Sequence, residues 1–169
     1  MKHVLLASAF TLLACAPVAA QDVTARANMI DQKEGEAGTV TFRQTKSGYL
    51  HVIVEMTGLP AGPHGFHVHE KGDCSSGDGM SAGGHFNPAG RPHGRHGQGM
   101  HHAGDLVSLR ADANGVARFN FESPTISVGG GPADIVGKGL IVHRDPDDYT
   151  TQPTGNAGAR LACAVIVRS

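Results

Sequence analysis

His67 and His69 stand two residues apart in the run Gly65-Phe66-His67-Val68-His69-Glu70. On an extended strand, side chains two apart leave the same face. Both imidazoles would then point the same way, which is half of a metal site. Alone, such a pair reads equally as two ordinary strand residues. What gives it weight is the inventory around it: the chain holds 11 histidines in 169 residues, most of them between His64 and His143.

The stretch that follows supplies more donors. His85, His93 and His102, followed by Asp105, are spaced 8, 9 and 3 residues apart. Three imidazoles and one carboxylate from a single segment make a closed tetrahedral set of the kind that suits Zn²⁺. His67, His69 and His143, on separated strand segments, offer an all-nitrogen set suited to copper. A histidine-rich loop that holds metal loosely, or not at all, remains the alternative at this level.

Something must carry these donors. Met1-Lys2-His3 is a short basic start, residues 4–14 are an apolar run, and Ala16-Pro17-Val18-Ala19-Ala20 is a small-residue cleavage region. Residues 1–20 therefore read as a signal peptide, too short in its apolar part to span a bilayer. Residues 21–169 are then one exported domain, large enough for a sizeable core. A periplasmic location follows for a bacterial protein. Leu12-Leu13-Ala14-Cys15 also resembles a lipoprotein cleavage site, so a lipid anchor at Cys15 is the alternative. Removal of Cys15 with the signal leaves Cys74 and Cys163, an even pair in an exported chain, read as a disulfide. The charge is nearly balanced, with 14 basic and 15 acidic residues. No basic run with interleaved aromatics is present, which excludes nucleic acid as the expected partner.

Short segments rich in Val, Thr, Phe, Tyr and Ile alternate with turn signals, and no stretch sustains a helical period. Strands are predicted over 22–30, 38–44, 49–56, the segment carrying His67 and His69, 105–110, 116–122, 139–143 and 161–167. Residues 58–63 read as a break, Asn114-Gly115 as a hairpin turn, and residues 71–104 and 144–160 as two long loops. A connection as long as the first is functional or disordered, and its cysteine and many donors favour a loop ordered by a disulfide and a metal. About eight strands without a helix predict an all-β antiparallel sandwich or barrel.

Five segments together resemble a known family. Gly65-Phe66-His67-Val68-His69-Glu70, Gly84-His85-Phe86-Asn87-Pro88, His102-Ala103-Gly104-Asp105-Leu106, Val142-His143 and Gly155-Asn156-Ala157-Gly158-Ala159-Arg160-Leu161-Ala162-Cys163 are similar to the signature segments of copper-zinc superoxide dismutases, in the same order. The resemblance implies an eight-stranded Greek-key barrel that converts superoxide to oxygen and hydrogen peroxide. It implies copper on His67, His69, His85 and His143, and zinc on His85, His93, His102 and Asp105, with His85 shared. Asp147, four residues after His143, matches a carboxylate that accepts from His67 and His93. Arg160 matches the arginine beside the copper, and His85 the proton source. Cys74 and Cys163 match the disulfide that tethers the long loop.

The same comparison assigns His64 a structural role. His51 is expected on the surface, and His96 and His101 in solvent within the zinc loop, the His-x-Gly-Asp-Leu pattern favouring His102 over its neighbour. Asp145 and Asp148 are expected as surface charges. The shorter second loop, with a signal peptide, looks like bacterial exported members; it leaves open both the steering charges and whether the protein is a monomer or a homodimer. A metal carrier or buffer without turnover is the competing function. Copper chaperones with a related domain tend to lose ligands or the arginine, whereas this chain keeps every ligand and Arg160 and has no separate Cys-x-x-Cys transfer module.

Overall fold

The computed structural model describes residues 24–31 and 35–169. The predicted signal segment and Cys15 lie outside the described residues. Among the described residues there are ten strands: β1 Thr24–Asp31, β2 Glu36–Gln44, β3 Leu50–Met56, β4 Gly62–His64, β5 Phe66–His69, β6 Leu109–Ala111, β7 Ala117–Ser123, β8 Gly139–His143, β9 Arg160–Val165 and β10 Val167–Arg168. The pairing is antiparallel throughout these strands. The main sheet runs β5-β8-β9-β1-β2-β3-β7, with β10 also on β1, and β4 pairs with β6. The first three strands form a meander. The chain then leaves to build β4, β5 and β6 and returns as β7 beside β3, while β9 comes back beside β1. Such returns are what a Greek-key sandwich requires.

Alternation decides which face turns inward. On β3, Leu50, Val52, Val54 and Met56 are buried, with His51, Ile53 and Glu55 at least partly exposed. Ala25, Ala27 and Met29 of β1 and Val40 and Phe42 of β2 meet them in one core. β5 and β8 differ, because every residue on both is buried. Phe66, Val68, Leu140 and Val142 join the core. The other face carries His67, His69 and His143, and it is roofed by the two long loops instead of by a second sheet.

The first loop lies on β5 through backbone bonds. Val68 donates to the Gly104 carbonyl (2.9 Å), and Phe86 donates to the Val68 carbonyl (2.8 Å). The approach is so close that a Cβ on Gly104 would collide with the Val68 carbonyl oxygen, so glycine is required there.

The structure adjusts several sequence expectations. The predicted break at 58–63 contains the start of β4, and Pro63 is accommodated in a three-residue strand at a short edge pair. The predicted strand over 105–110 begins only at Leu109. Asp105 bridges His67 alone, and its carboxylate is committed to the loop around it. The last strand divides at Ile166, which is buried. A single 3-10 turn, Met80–Ala82, interrupts the first long loop.

Cys74 and Cys163 form a disulfide across a separation of 89 residues, tying the loop to β9. In the chain-entropy model, a closed loop of this size stabilises the fold by about 4 to 5 kcal/mol. Replacing both cysteines by serine should therefore lower the unfolding free energy of metal-free protein by roughly that amount, read as a lower midpoint in urea at an unchanged slope.

Candidate metal centre

Six histidines and two aspartates converge on the outer face of β5 and β8, all of them buried. His67 and His69 come from β5 and His143 from the end of β8. His85, His93, His102 and Asp105 come from the first loop, and Asp147 from the second. In the group His67, His69, His85 and His143 one ligand atom from each residue lies within 4.8 Å of the others. The group His85, His93, His102 and Asp105 meets the same limit, so His85 belongs to both.

Hydrogen bonds set which nitrogen of each ring faces inward. Nε2 of His67 donates to Asp147 Oδ2 (2.6 Å), and Nε2 of His93 donates to Asp147 Oδ1 (2.9 Å). Nδ1 of His69 donates to the Gly83 carbonyl (2.9 Å), and Nδ1 of His143 to the Gly158 carbonyl (3.3 Å). In a neutral ring the other nitrogen then carries the lone pair. Two of those nitrogens face each other: His69 Nε2 and His143 Nε2 are 3.3 Å apart. His85 Nδ1 bonds to Asp105 Oδ1 (2.9 Å) and lies 3.4 Å from His102 Nδ1. His67 Nδ1, His85 Nε2 and His93 Nδ1 are buried with no hydrogen-bond partner. Buried polar atoms without partners are rare in native proteins. Lone pairs turned toward each other repel unless a cation lies between them, so the donor set fits two metal ions.

Electrostatics agree. Burial pushes the His85 ring down to about 4, against the pull of Asp105, and pushes His143 down to about 3, helped by His67. Burial, then His85, also lowers His69. These three rings are neutral at pH 7. Burial would raise Asp105 and Asp147, but the His102, His85 and His93 rings against it hold the first far below the carboxylate range, and bonds from His67 and His93 hold the second low. His93 is the exception. Burial opposes its charge, yet the Asp105 carboxylate beside it and its bond to Asp147 outweigh this and raise it to about 9. Its Nδ1 lies 3.1 Å from Asp105 Oδ2, too poorly aligned for a hydrogen bond. A proton there partly substitutes for a metal.

Beside the first group lies a recess of about 480 Å³ reaching His69 and His143 and lined by Arg160, Asp78, Met80, Thr154 and Asn156. Arg160 donates through Nη1 to the Gly79 carbonyl (2.6 Å) and through Nη2 to the Gly83 carbonyl (2.7 Å). Two carbonyls thus hold the guanidinium half-buried at the recess, and an arginine keeps its charge there.

A model of the family "Copper/zinc superoxide dismutase (SODC)" matches residues 36–166. The chain belongs to that family. It is 38% identical over 175 residues to a Cu-Zn superoxide dismutase of Deinococcus radiodurans, covering 96% of this chain and 93% of that one. A SOD-like protein from Bacillus subtilis superposes with a TM-score of 0.75 at 34% identity, over 82% of this chain and 95% of that chain. The clock protein EA4 superposes with 0.78 at 38%, over 90% and 99%. Membership brings copper and zinc as the cofactors, and the two buried donor groups are consistent with them.

Two expectations for this dismutase need correction. His101 is buried, not in solvent: Nδ1 donates to the His102 carbonyl (2.7 Å) and Nε2 accepts from the Gly97 amide (3.3 Å). His96 is half-buried, donating to the Asp105 carbonyl (2.9 Å) with its ring edge on Phe121. Both brace the loop behind the donors. His64 is buried between the Pro60 and His143 carbonyls, and His51 lies in β3 beside Asn120. Asp147 is buried, whereas Asp148 is exposed and Asp145 pairs with Arg144.

Other contributors had no motif to announce them. The Gln152 side chain accepts from the His93 amide (2.8 Å) and donates to its carbonyl (2.9 Å), pinning one loop to the other. The Tyr149 amide donates to Asp147 Oδ1 (2.7 Å), its hydroxyl pairs with Ser108 (2.8 Å), and Arg95 lies over its ring. A Cβ on Gly155 would strike both Asp147 Oδ1 and His93 Nε2.

Since His93 in the metal-free protein titrates near 9, zinc binding at pH 7 should release about one proton per ion, because a metal ligand must be deprotonated. Calorimetry in buffers of different ionisation enthalpy reads this number directly. Release should shrink toward zero as the pH is raised through 9.

Proposed function

We propose that this dismutase works at the recess, with copper held by His67, His69, His85 and His143, zinc by His85, His93, His102 and Asp105, and Arg160 receiving the superoxide anion. The observation that carries the reading is the pair of facing Nε2 atoms of His69 and His143, 3.3 Å apart and adjoining the recess that Arg160 lines. Four nitrogens with an approach from one side suit a redox copper. Three nitrogens and a carboxylate, buried and closed, suit a structural zinc. A copper held there would supply one-electron chemistry, by which two superoxides and two protons would become oxygen and hydrogen peroxide.

The chain's own residues do the rest. Arg160 attracts the anion and, with both Nη atoms anchored on carbonyls, presents its charge without reorganising. His85 Nε2, whenever it is not holding metal, would take a proton from solvent and pass it to the reduced oxygen, while Nδ1 stays beside Asp105 Oδ1 (2.9 Å). Asp147 keeps the His67 and His93 rings turned so that Nδ1 of each faces inward.

Fold likeness alone does not separate an enzyme from a metal carrier, since related structures bear titles as different as "SOD-like protein" and "clock protein". A carrier has no use for a guanidinium fixed over an open copper position. Arg160→Ala should lower kcat/KM for superoxide about tenfold and flatten its dependence on salt, with copper and zinc content unchanged; unaltered salt dependence would remove Arg160 from substrate attraction.

Location follows the N-terminus. We assign residues 1–20 as a cleaved signal and 21–169 as one periplasmic domain; among the described residues no helix is long and apolar enough to cross a membrane. Fractionated cells should yield a soluble periplasmic protein starting at Gln21, monomeric or homodimeric by light scattering. A membrane-bound form starting at lipidated Cys15 would replace this assignment with the anchor.

A further inference from the structure

The recess beside the copper group carries a second charge. Among the described residues that line it, Arg160 and Asp78 are the two with fixed opposite charges. Their placement is local in sequence and space: Arg160 donates to the carbonyl of Gly79, the residue after Asp78, and a Cβ on Gly79 would touch the Arg160 side chain at 3.2 Å. Asp78 is held in place as well. Its Oδ1 accepts the Met80 amide (2.9 Å) at the entry to the 3-10 turn. That bond, with one from the Ser76 side chain, keeps the carboxyl below its ordinary value, and Asp78 and Arg160 each favour the other's charge. A negative charge beside the cation that is to draw in an anion opposes the chain's own chemistry unless it discriminates between anions.

Charge number provides the discrimination. The work of passing a fixed negative charge doubles from a monoanion to a dianion. A carboxylate that lowers monoanion occupancy by some factor lowers dianion occupancy by about the square of it. Superoxide carries one charge. Hydrogen phosphate carries two and is an ordinary partner for an arginine fork. We propose that Asp78 is a specificity-determining residue of the recess, which sacrifices part of the attraction for superoxide in order to keep divalent oxyanions off Arg160. The inference rests on the assignment of the recess as the substrate approach.

The test uses the copper- and zinc-loaded protein and Asp78→Asn, which retains the Oδ1 acceptor for the Met80 amide. Asp73→Asn is the control: it removes an exposed carboxylate from the same loop whose Oδ1 accepts the Ser75 amide (2.9 Å) and which does not line the recess. Azide, a monoanion, is titrated by the visible absorption of copper, and inorganic phosphate at pH 8 by displacement of azide at constant ionic strength. Removing one exposed charge should tighten azide about two- to threefold at low salt, and phosphate by about the square of the azide factor, roughly four- to ninefold. The superoxide kcat/KM should rise with the azide factor, and the gains should fade by about 0.5 M salt. Asp73→Asn should change none of these by more than a fraction of that.

Equal gains for azide and phosphate would overturn the discrimination. No gain in Asp78→Asn, or the same gain in Asp73→Asn, would remove Asp78 as the local determinant. A fall in azide affinity would make Asp78 a support for Arg160 instead. Failure of the underlying reading looks different: azide would then leave the copper spectrum of the wild-type protein unchanged, or Arg160→Ala would bind it as the wild type does.

Discussion

One carboxylate joins the two halves of this centre. Asp147 accepts from His67 on β5 through one oxygen and from His93 in the first long loop through the other, while belonging to the second long loop itself. Three segments far apart in sequence are thereby held at one buried point. With Nε2 of both rings occupied, Nδ1 of each turns inward, and each is left without a hydrogen-bond partner. Burying such atoms is costly unless a cation meets them, so the bonds that shape the fold here also shape a donor set that fits metal.

This dependence explains an arrangement that a purely apolar sandwich would not adopt. β5 and β8 have one face in the core and one face of histidines. That second face is covered by loops containing few large apolar side chains. Backbone bonds to Val68 and Phe86, the disulfide to β9, the Gln152 clamp on His93 and the metal ligands supply the order that apolar burial supplies elsewhere. Every attachment lies on a donor residue or within a few residues of one, which is how a long loop can hold ligands to the tolerance that metal coordination demands.

The recess follows from the same construction. Arg160 begins β9 three residues before Cys163, and its guanidinium is fixed by carbonyls of the disulfide-tethered loop. The loop that positions the cation also delivers Asp78 beside it. One short segment, residues 78–83, thus supplies both the carbonyls that fix the Arg160 guanidinium and the Asp78 carboxylate beside it.

Much of this could be read from the sequence because it rests on local chemistry. Strand alternation, turn residues and His67 and His69 at a separation of two are properties of a few consecutive residues. The donor residues of both groups could be picked out by type and spacing, and five ordered segments supported the family resemblance. The burial of His101 and His96, the start of β4 within a predicted break, and the roles of Gln152, Tyr149 and Asp78 could not. Each is decided by a partner far away in the chain or by a backbone carbonyl, and carbonyls have no sequence signature. The sequence by itself determined which side chains could hold metal and that a β-sandwich would carry them. Only the tertiary structure decided which nitrogen of each ring faces inward, because that choice depends on where the Asp147 carboxylate and the Gly83 and Gly158 carbonyls come to rest.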